Sequence, residues 1–503
     1  MKYLKTIAVL ASVVGLLALL FPLQSPVWQK IYEKDLEAVC KTLQEDHPGF
    51  YDAENPEFKT WLVDGYQQAL ALSDKVDGFE NYLYGLYFFV NGFKDNHLRI
   101  EADTSQLPSE WPGFSIGYQP GFRTGHEWAT YSTVEEQDEA FVVTVSERES
   151  VPVGAQLISC DGINPRAWLE KYICPFVDSR NLDASWTQAA RYLTWWRGSS
   201  FVAKPKVYGF SYKGKEWQEK PEWHNISVTE YHAQVDRKNA PTVASIKKVG
   251  PSCVWVALPS FYPQSDAERE ALENVIDAIA AYKNFDIIIF DLRGNKGGNS
   301  FYGTRILRNV FGADCCQHSF NRMRKEQYVE WRASKGNITH LQELIEKLKQ
   351  QPQQHELVVN LSELVKKLEK SLQSDQAFYR TESNSNSSTN ESGKRCKGPR
   401  VALITDSYCA SACLDFIDEL YAVTPAFQIG LPTNADTMYL ECRDVKLPSS
   451  LATLHLPIKV FRNRQRRSND PWIPDEYIFD VYNNDVLARV VSEKCAVAIT
   501  TSA

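Results

Sequence analysis

Nowhere in the 503 residues is there a basic run longer than the local "RNRQRR" at 462–467, and the formal net charge is −8. A protein that neutralises phosphates needs a clustered basic face, so nucleic acid is set aside as a partner. The eleven cysteines include no paired C-x2-C elements, so the spacing that holds structural zinc is missing and no metal or other cofactor is expected. The phosphate-cradling G-x4-G-K-[ST] pattern is absent from the glycine-rich stretches, and the chain shows no internal repeat. What it does have is apolar surface: 43% hydrophobic and 12% aromatic residues supply cores for two or three domains.

The N-terminus, "MKYLKTIAVLASVVGLLALLFPLQSP", sets Lys2 and Lys5 before an apolar segment from Thr6 to Phe21, which Pro22 ends. At 16 residues it is shorter than the ~20 of a spanning helix and fits the hydrophobic region of a signal peptide. The cleavage site is poor, with Leu23 and Ser25 at the small-residue positions, so both a cleaved signal and a retained membrane tether stay open. Either way an exported protein is expected, periplasmic or extracellular, where an oxidising environment suits the cysteines.

From Trp28 to about Leu98 apolar residues recur at three- and four-residue spacing, which predicts helices. Between about 112 and 215, short alternating runs such as "AFVVTVSE" and "AQLISCDG" with Gly and Pro between them predict a β-rich module. From 242 onward strand, helix and strand alternate: "CVWVALPSF", the helix at 265–285, then "DIIIFDLRG", and a second unit from "RVALITD" into "ASACLDFIDELYAV". That order predicts parallel crossovers. Between the two units, 340–373 reads as two amphipathic helices broken at Pro352, and "ESNSNSSTNESGKRCKG" is a polar low-complexity linker.

Two turns at the carboxyl ends of these strands carry chemistry. In "FDLRGNKGGNS", residues 290–300, Gly297 and Gly298 can turn N–H groups toward a developing negative charge; a purely structural turn braced by Asp291 and Arg293 is the alternative. In "DSYCASACLDF", residues 406–416, Ser411 falls at the N-terminal turn of a helix between the small residues Ala410 and Ala412. There it can attack a carbonyl, or Ser407 or Ser411 can merely cap the helix. A serine nucleophile needs a base. No lysine follows Ser411 until Lys446, whereas "NGFKDNHLRI" sets His97 beside Asp95 and Arg99. Cys409 and Cys413 are read as buried packing residues rather than as a bridge.

"DLRGNKGG", "CASACLDF" and "DNHLRI" together resemble the C-terminal-processing (tail-specific) serine peptidases, in the tricorn-core-like branch that uses His rather than Lys. "LQEDHPGFYDAENPEFKTWL" is similar to the helical N-terminal region of that branch, and "LPSSLATLHLPIKVFR" and "NDPWIPDEY" to its closing strands. "VPVGAQLISCDGINPRAWLEKY", residues 151–172, resembles half of a PDZ domain, keeping Gly154, Leu157, Ile158 and Gly162. The resemblance implies a multidomain α+β chain. It would comprise a signal or anchor at 1–25, a helical region at 27–111 carrying His97, and a PDZ-like β-rich module at 112–220. An α/β peptidase domain of ClpP/crotonase-like fold would follow at 242–335 and 399–490, interrupted by a helical and low-complexity insertion at 336–398.

It also implies Ser411 as nucleophile, His97 as general base, and N–H groups of Gly297 or Gly298 and of Ala412 as the oxyanion hole. The position of the family's orienting Glu matches Asp470, with Glu441 and Asp95 as alternatives. The family's acidic residue three positions after the nucleophile is here Leu414, with Asp415 one step on. The implied activity is that of a serine endopeptidase acting on peptides or proteins through an acyl-enzyme. A non-catalytic binder of peptides or apolar ligands on the same fold is the alternative.

Overall fold

The computed structural model describes residues 25–103, 126–129, 134–137, 140–177, 189–227, 230–231, 240–351, 354–382, 396–478 and 481–495. The apolar N-terminal segment, the first residues of the 112–220 module and most of the polar linker lie outside these ranges. Among the described residues no helix is long and apolar enough to cross a membrane. The chain folds into two compact units, 1–236 with 332–378 and 441–459, and 237–331 with 379–440 and 460–503.

In the first unit, helix Ser25–Asp46 buries Tyr32, Leu36, Val39 and Leu43, the stripe that a 3.6-residue period dictates. Helices Pro56–Leu70 and Phe79–Asn91 close on it through aromatic side chains, and Phe58 of the first meets Phe93, just past the end of the second, at 4.4 Å between ring centroids. Five antiparallel strands follow in the order Val134–Gln137, Ala140–Val143, Gln156–Cys160, Tyr208–Tyr212, Lys215–Glu219. In Gln156–Cys160 the pairing shifts register after Leu157, so Leu157 and Cys160 face inward while Ile158 faces out, 38% exposed.

The region read from sequence as an insertion contains helices Lys335–Leu348 and His355–Gln373, and residues 332–378 belong to this unit. A buried polar knot ties the first of them to helix Ser25–Asp46. Asn337 Nδ2 donates to the Asp46 carbonyl at 3.0 Å, Arg443 Nη2 donates to Asp46 Oδ2 at 2.5 Å, and Arg443 Nε donates to Asn337 Oδ1 at 2.8 Å. Removing one partner leaves the other charge buried and unmatched. Asp46→Ala is therefore expected to cost the first unit about 3–5 kcal/mol, read as a lowered urea midpoint.

The second unit is built on a six-stranded sheet in the order Ser245–Gly250, Cys253–Ala257, Ile287–Asp291, Arg400–Thr405, Ala426–Gly430, Glu476–Tyr477. The first pair is antiparallel and every later pair parallel. "IIIFD" is buried at all five positions because the sheet is covered on both sides. Ile288 and Phe290 face one core, with helices Asp266–Ala278, Ser300–Phe311, Ala313–Met323 and Ala412–Val423. Ile287 and Ile289 face the other, against Leu487 and Val491 of helix Asn484–Cys495. Cys315 and Cys396 form a disulfide, fastening helix Ala313–Met323 to the chain that enters strand Arg400–Thr405.

Candidate active site

The strand Ile287–Asp291 ends in a buried ion pair. Arg293 Nε donates to Asp291 Oδ1 at 2.7 Å and Nη2 to Oδ2 at 2.5 Å, and both side chains are about 1% exposed. Two charges at that depth survive because their remaining valences are filled. Arg293 also donates to the Val481 carbonyl at 2.8 Å and to Asn484 Oδ1 at 2.9 Å, while Trp255 Nε1 donates to Asp291 Oδ2 at 3.1 Å. The pair thus fixes where the chain leaves the sheet, and with it the glycine-rich turn.

Asp406, directly after strand Arg400–Thr405, does the same for the second turn. Its buried carboxylate accepts the Tyr408 N–H at 2.9 Å, the Gly294 N–H at 2.9 Å and the Tyr482 hydroxyl at 3.0 Å, so one side chain joins the two turns. Asn295 is a second connector. Its Nδ2 donates to the Leu258 carbonyl at 2.8 Å, its Oδ1 accepts from Gly297 N–H at 2.9 Å, and its carbonyl accepts from Ala410 N–H at 3.2 Å. Neither residue stood out in the sequence. The signal for Asp406 is an Asp immediately after a buried strand, where its carboxylate can bond a backbone N–H two residues on.

Ser411 sits on the turn so held, as the residue preceding helix Ala412–Val423, with φ +54° and ψ −121°. Those angles belong to the second residue of a type II′ turn, and the Cys413 N–H closes it on the Ala410 carbonyl at 3.0 Å. A serine there costs about 1–3 kcal/mol relative to relaxed backbone. Its hydroxyl makes no capping bond to the helix, so the capping role open in the sequence is not the one it plays. Gly297 explains the tight fit: a Cβ there would lie 2.6 Å from the Ala410 carbonyl oxygen and 2.8 Å from both Ala412 N and Ser411 Cβ.

The oxyanion candidates separate on geometry. Gly297 N–H is committed to Asn295 Oδ1. Gly298, with φ +131°, pairs with Phe261 across a parallel bridge in which Phe261 N–H donates to the Gly297 carbonyl at 3.0 Å and Asn299 N–H to the Phe261 carbonyl at 2.8 Å. Among the described residues the N–H groups of Gly298 and Ala412 have no acceptor. Leu414 is buried in the core, and Asp415 accepts the Ser300 hydroxyl at 2.6 Å, which draws helix Ser300–Phe311 against the serine-bearing helix.

The reading of Cys409 and Cys413 as unbridged packing residues is corrected. The two form a disulfide across the turn, their Cα atoms 5.4 Å apart, with both residues fully buried. The sequence spacing of four allows either state; what brings the sulfurs together is the II′ turn between them, which no propensity announces.

His97 and Asp470 are placed each within its own surroundings. His97 is half-buried, and its backbone N–H donates to Asp95 Oδ1 at 3.0 Å. Asp95 Oδ2 faces Nε2 of the fully buried His47 at 3.4 Å, and His47 Nδ1 accepts the Gly49 N–H at 2.9 Å, which assigns the imidazole proton to Nε2. The Asp95 carboxylate is thus engaged with the His97 backbone and with His47. The other alternative, Glu441, pairs with Lys459 at 3.0 Å. Asp470 is exposed, on a segment that Arg464 and Arg466 pin down. Arg466 Nη1 donates to Asp436 at 2.6 Å and its Nε to Asp418 at 3.1 Å, while Arg464 Nη2 donates to Asp436 at 2.7 Å. Two members of the longest basic run are therefore internal struts rather than a surface for polyanions.

A mostly parallel α/β sheet thus sets a serine at positive φ, just before a helix, against a glycine turn at the carboxyl ends of the strands, where sheets of this kind place their sites. Residues 253–476 match the model of peptidase family S41, which covers both turns, and the protein is a serine-type peptidase. No curated protein matches the sequence. Among solved structures, mature CPAF is similar at 13% identity over 93% of this chain and 96% of that one, with a TM-score of 0.58. Mature CPAF complexed with lactacystin is similar at 13% identity over 93% and 97%, with a TM-score of 0.56. At that identity the likeness establishes a shared fold.

Two outcomes follow from this geometry. If the bridge constrains the serine turn, Cys409→Ala, Cys413→Ala and the double variant lose the same fraction of peptidase activity, because each removes the same bond; additive losses would mean packing alone. Burial, opposed by Asp95 and Asp52, holds His47 below its ordinary value. The unfolded chain then takes up a proton that the folded one refuses, so this contribution to stability is present above about pH 6.5 and lost as pH falls. Urea midpoints compared between about pH 7.5 and 5.5 should drop, and His47→Gln should flatten that drop.

Proposed function

We propose that the protein is an exported serine endopeptidase that cleaves peptides or proteins through an acyl-enzyme on Ser411. The observation that carries this reading is the Ser411 turn: a serine held at positive φ directly before a helix and packed against Gly297, with the Gly298 and Ala412 N–H groups proposed to receive an oxyanion. In the proposed cycle His97 takes the Ser411 proton as Oγ attacks the scissile carbonyl, and the carbonyl oxygen, now negative, accepts from Gly298 and Ala412. His97 then protonates the leaving amine. Water, deprotonated by His97, attacks the acyl carbon, and the carboxylate product leaves with Ser411 restored.

Asp470 is the proposed partner of His97, holding one tautomer and stabilising the imidazolium. Being one methylene shorter than the Glu of the resembling family, it requires a closer approach of its backbone. A PDZ-like role for the sheet Val134–Glu219 in holding extended peptide is proposed on the sequence resemblance, through strand addition. Export is supported by the basic and apolar N-terminal segment together with two disulfides, which persist in oxidising compartments.

A serine-reactive fluorophosphonate should label the full chain once, at Ser411, and Ser411→Ala should abolish both label and peptidase activity. His97→Ala is expected to lower kcat by at least about a thousandfold with the fold intact by circular dichroism. Full activity in His97→Ala would remove it as the base, and labelling at another serine would remove Ser411.

A further inference from the structure

Tyr262 and Phe301 are 67% and 56% exposed, the two most exposed aromatic side chains among the described residues. Single exposed apolar residues need no explanation, but these two hang on the segments that bracket the Gly298 turn. Phe261, the neighbour of Tyr262, is fully buried and pairs through its backbone with Gly298, where a Cβ would come within 2.5 Å of Tyr262 N. Phe301 follows three residues after Gly298, in the first turn of helix Ser300–Phe311.

Both are held on rigid supports. Pro259 and Pro263 flank the Tyr262 segment, Phe261 packs into the core against Phe416, and Tyr262 N–H donates to Ser260 Oγ at 2.9 Å. Phe301 N–H donates to the Asn299 side chain at 3.0 Å, and the Arg305 guanidinium sits 6.0 Å from the ring centroid. A backbone fixed this firmly presents two largely exposed aromatic side chains.

We propose that Tyr262 and Phe301 are the apolar walls of a side-chain subsite beside the Gly298 turn, and that the preferred substrates are extended peptides carrying a bulky aliphatic or aromatic residue next to the cleaved bond. The inference rests on Ser411 and Gly298 marking the reaction centre. It specifies substrate class rather than chemistry, because the two side chains are assigned contact with the substrate and no part in proton transfer or nucleophilic attack.

The test uses the full-length chain and two internally quenched peptides that differ only beside the cleaved bond, one with Leu or Phe there and one with Gly. Wild type should cleave the apolar peptide at least about tenfold faster in kcat/KM, which is ~1.4 kcal/mol. Tyr262→Ala and Phe301→Ala should each erase most of that preference through KM, with less than about a twofold change for the Gly peptide and unchanged fluorophosphonate labelling. A second readout needs no chemistry: in a Ser411→Ala background, Kd for the uncleaved apolar peptide should weaken about tenfold on adding either alanine. Preserved discrimination and preserved Kd in the double alanine variant would overturn the subsite. Absence of labelling at Ser411 in wild type, with the Kd effect intact, would instead overturn the nucleophile and leave the subsite standing.

Discussion

Everything about the proposed site depends on keeping one serine in a backbone conformation that serine avoids. Ser411 at φ +54° is uphill by about 1–3 kcal/mol, so the surrounding structure must over-determine it. Three constraints do so independently. Gly297 leaves room for the turn to nestle where no Cβ fits, the Cys409–Cys413 bridge spans it, and the Asn295 carbonyl holds Ala410 N–H. Relaxing the turn would break the bond between Cys413 N–H and the Ala410 carbonyl and move the side chain proposed as nucleophile.

Behind those constraints stand buried charges whose role is placement. Asp291 with Arg293 and Asp406 with three donors are costly to desolvate, and each is repaid only by a full set of hydrogen bonds. An apolar replacement would remove the cost and also the register, since Asp406 is what ties Gly294 to the serine turn. Arg464 and Arg466 act likewise for the segment carrying Asp470, and the Asp46–Arg443–Asn337 knot does so in the first unit.

How much of this could be read from the chain varies with the range of the interaction. The buried strands Ile287–Asp291 and Arg400–Thr405, the helix after Ser411 and both strand-end turns were legible because each is written in a contiguous run of apolar residues ended by Gly, Asp or Ser. Asn295 was not, because its importance lies in bonding Leu258 and Ala410, 37 residues before it and 115 after it, and nothing local distinguishes it from a surface turn residue. The Cys409–Cys413 bridge was misjudged because spacing alone does not choose between bridged and free thiols. The helices at 335–348 and 355–373 were visible as periodic segments, but that their region belongs with the first unit is a long-range fact carried by Asn337 and Arg443 meeting Asp46. Gly297, expected to turn its N–H toward a developing negative charge, has a positive φ and donates that N–H to Asn295 Oδ1, a partner that no local sequence signal marks.

The central claim is that the Ser411 turn presents an acylating oxygen to the Gly298 and Ala412 N–H groups. A crystal structure of the phosphonate adduct addresses it directly. Phosphorus bonded to Ser411 Oγ, with the phosphonyl oxygen about 2.7–3.1 Å from both nitrogens, is the predicted result. An adduct whose phosphonyl oxygen points to solvent, or is held by other donors while Gly298 and Ala412 stay unengaged, would contradict it.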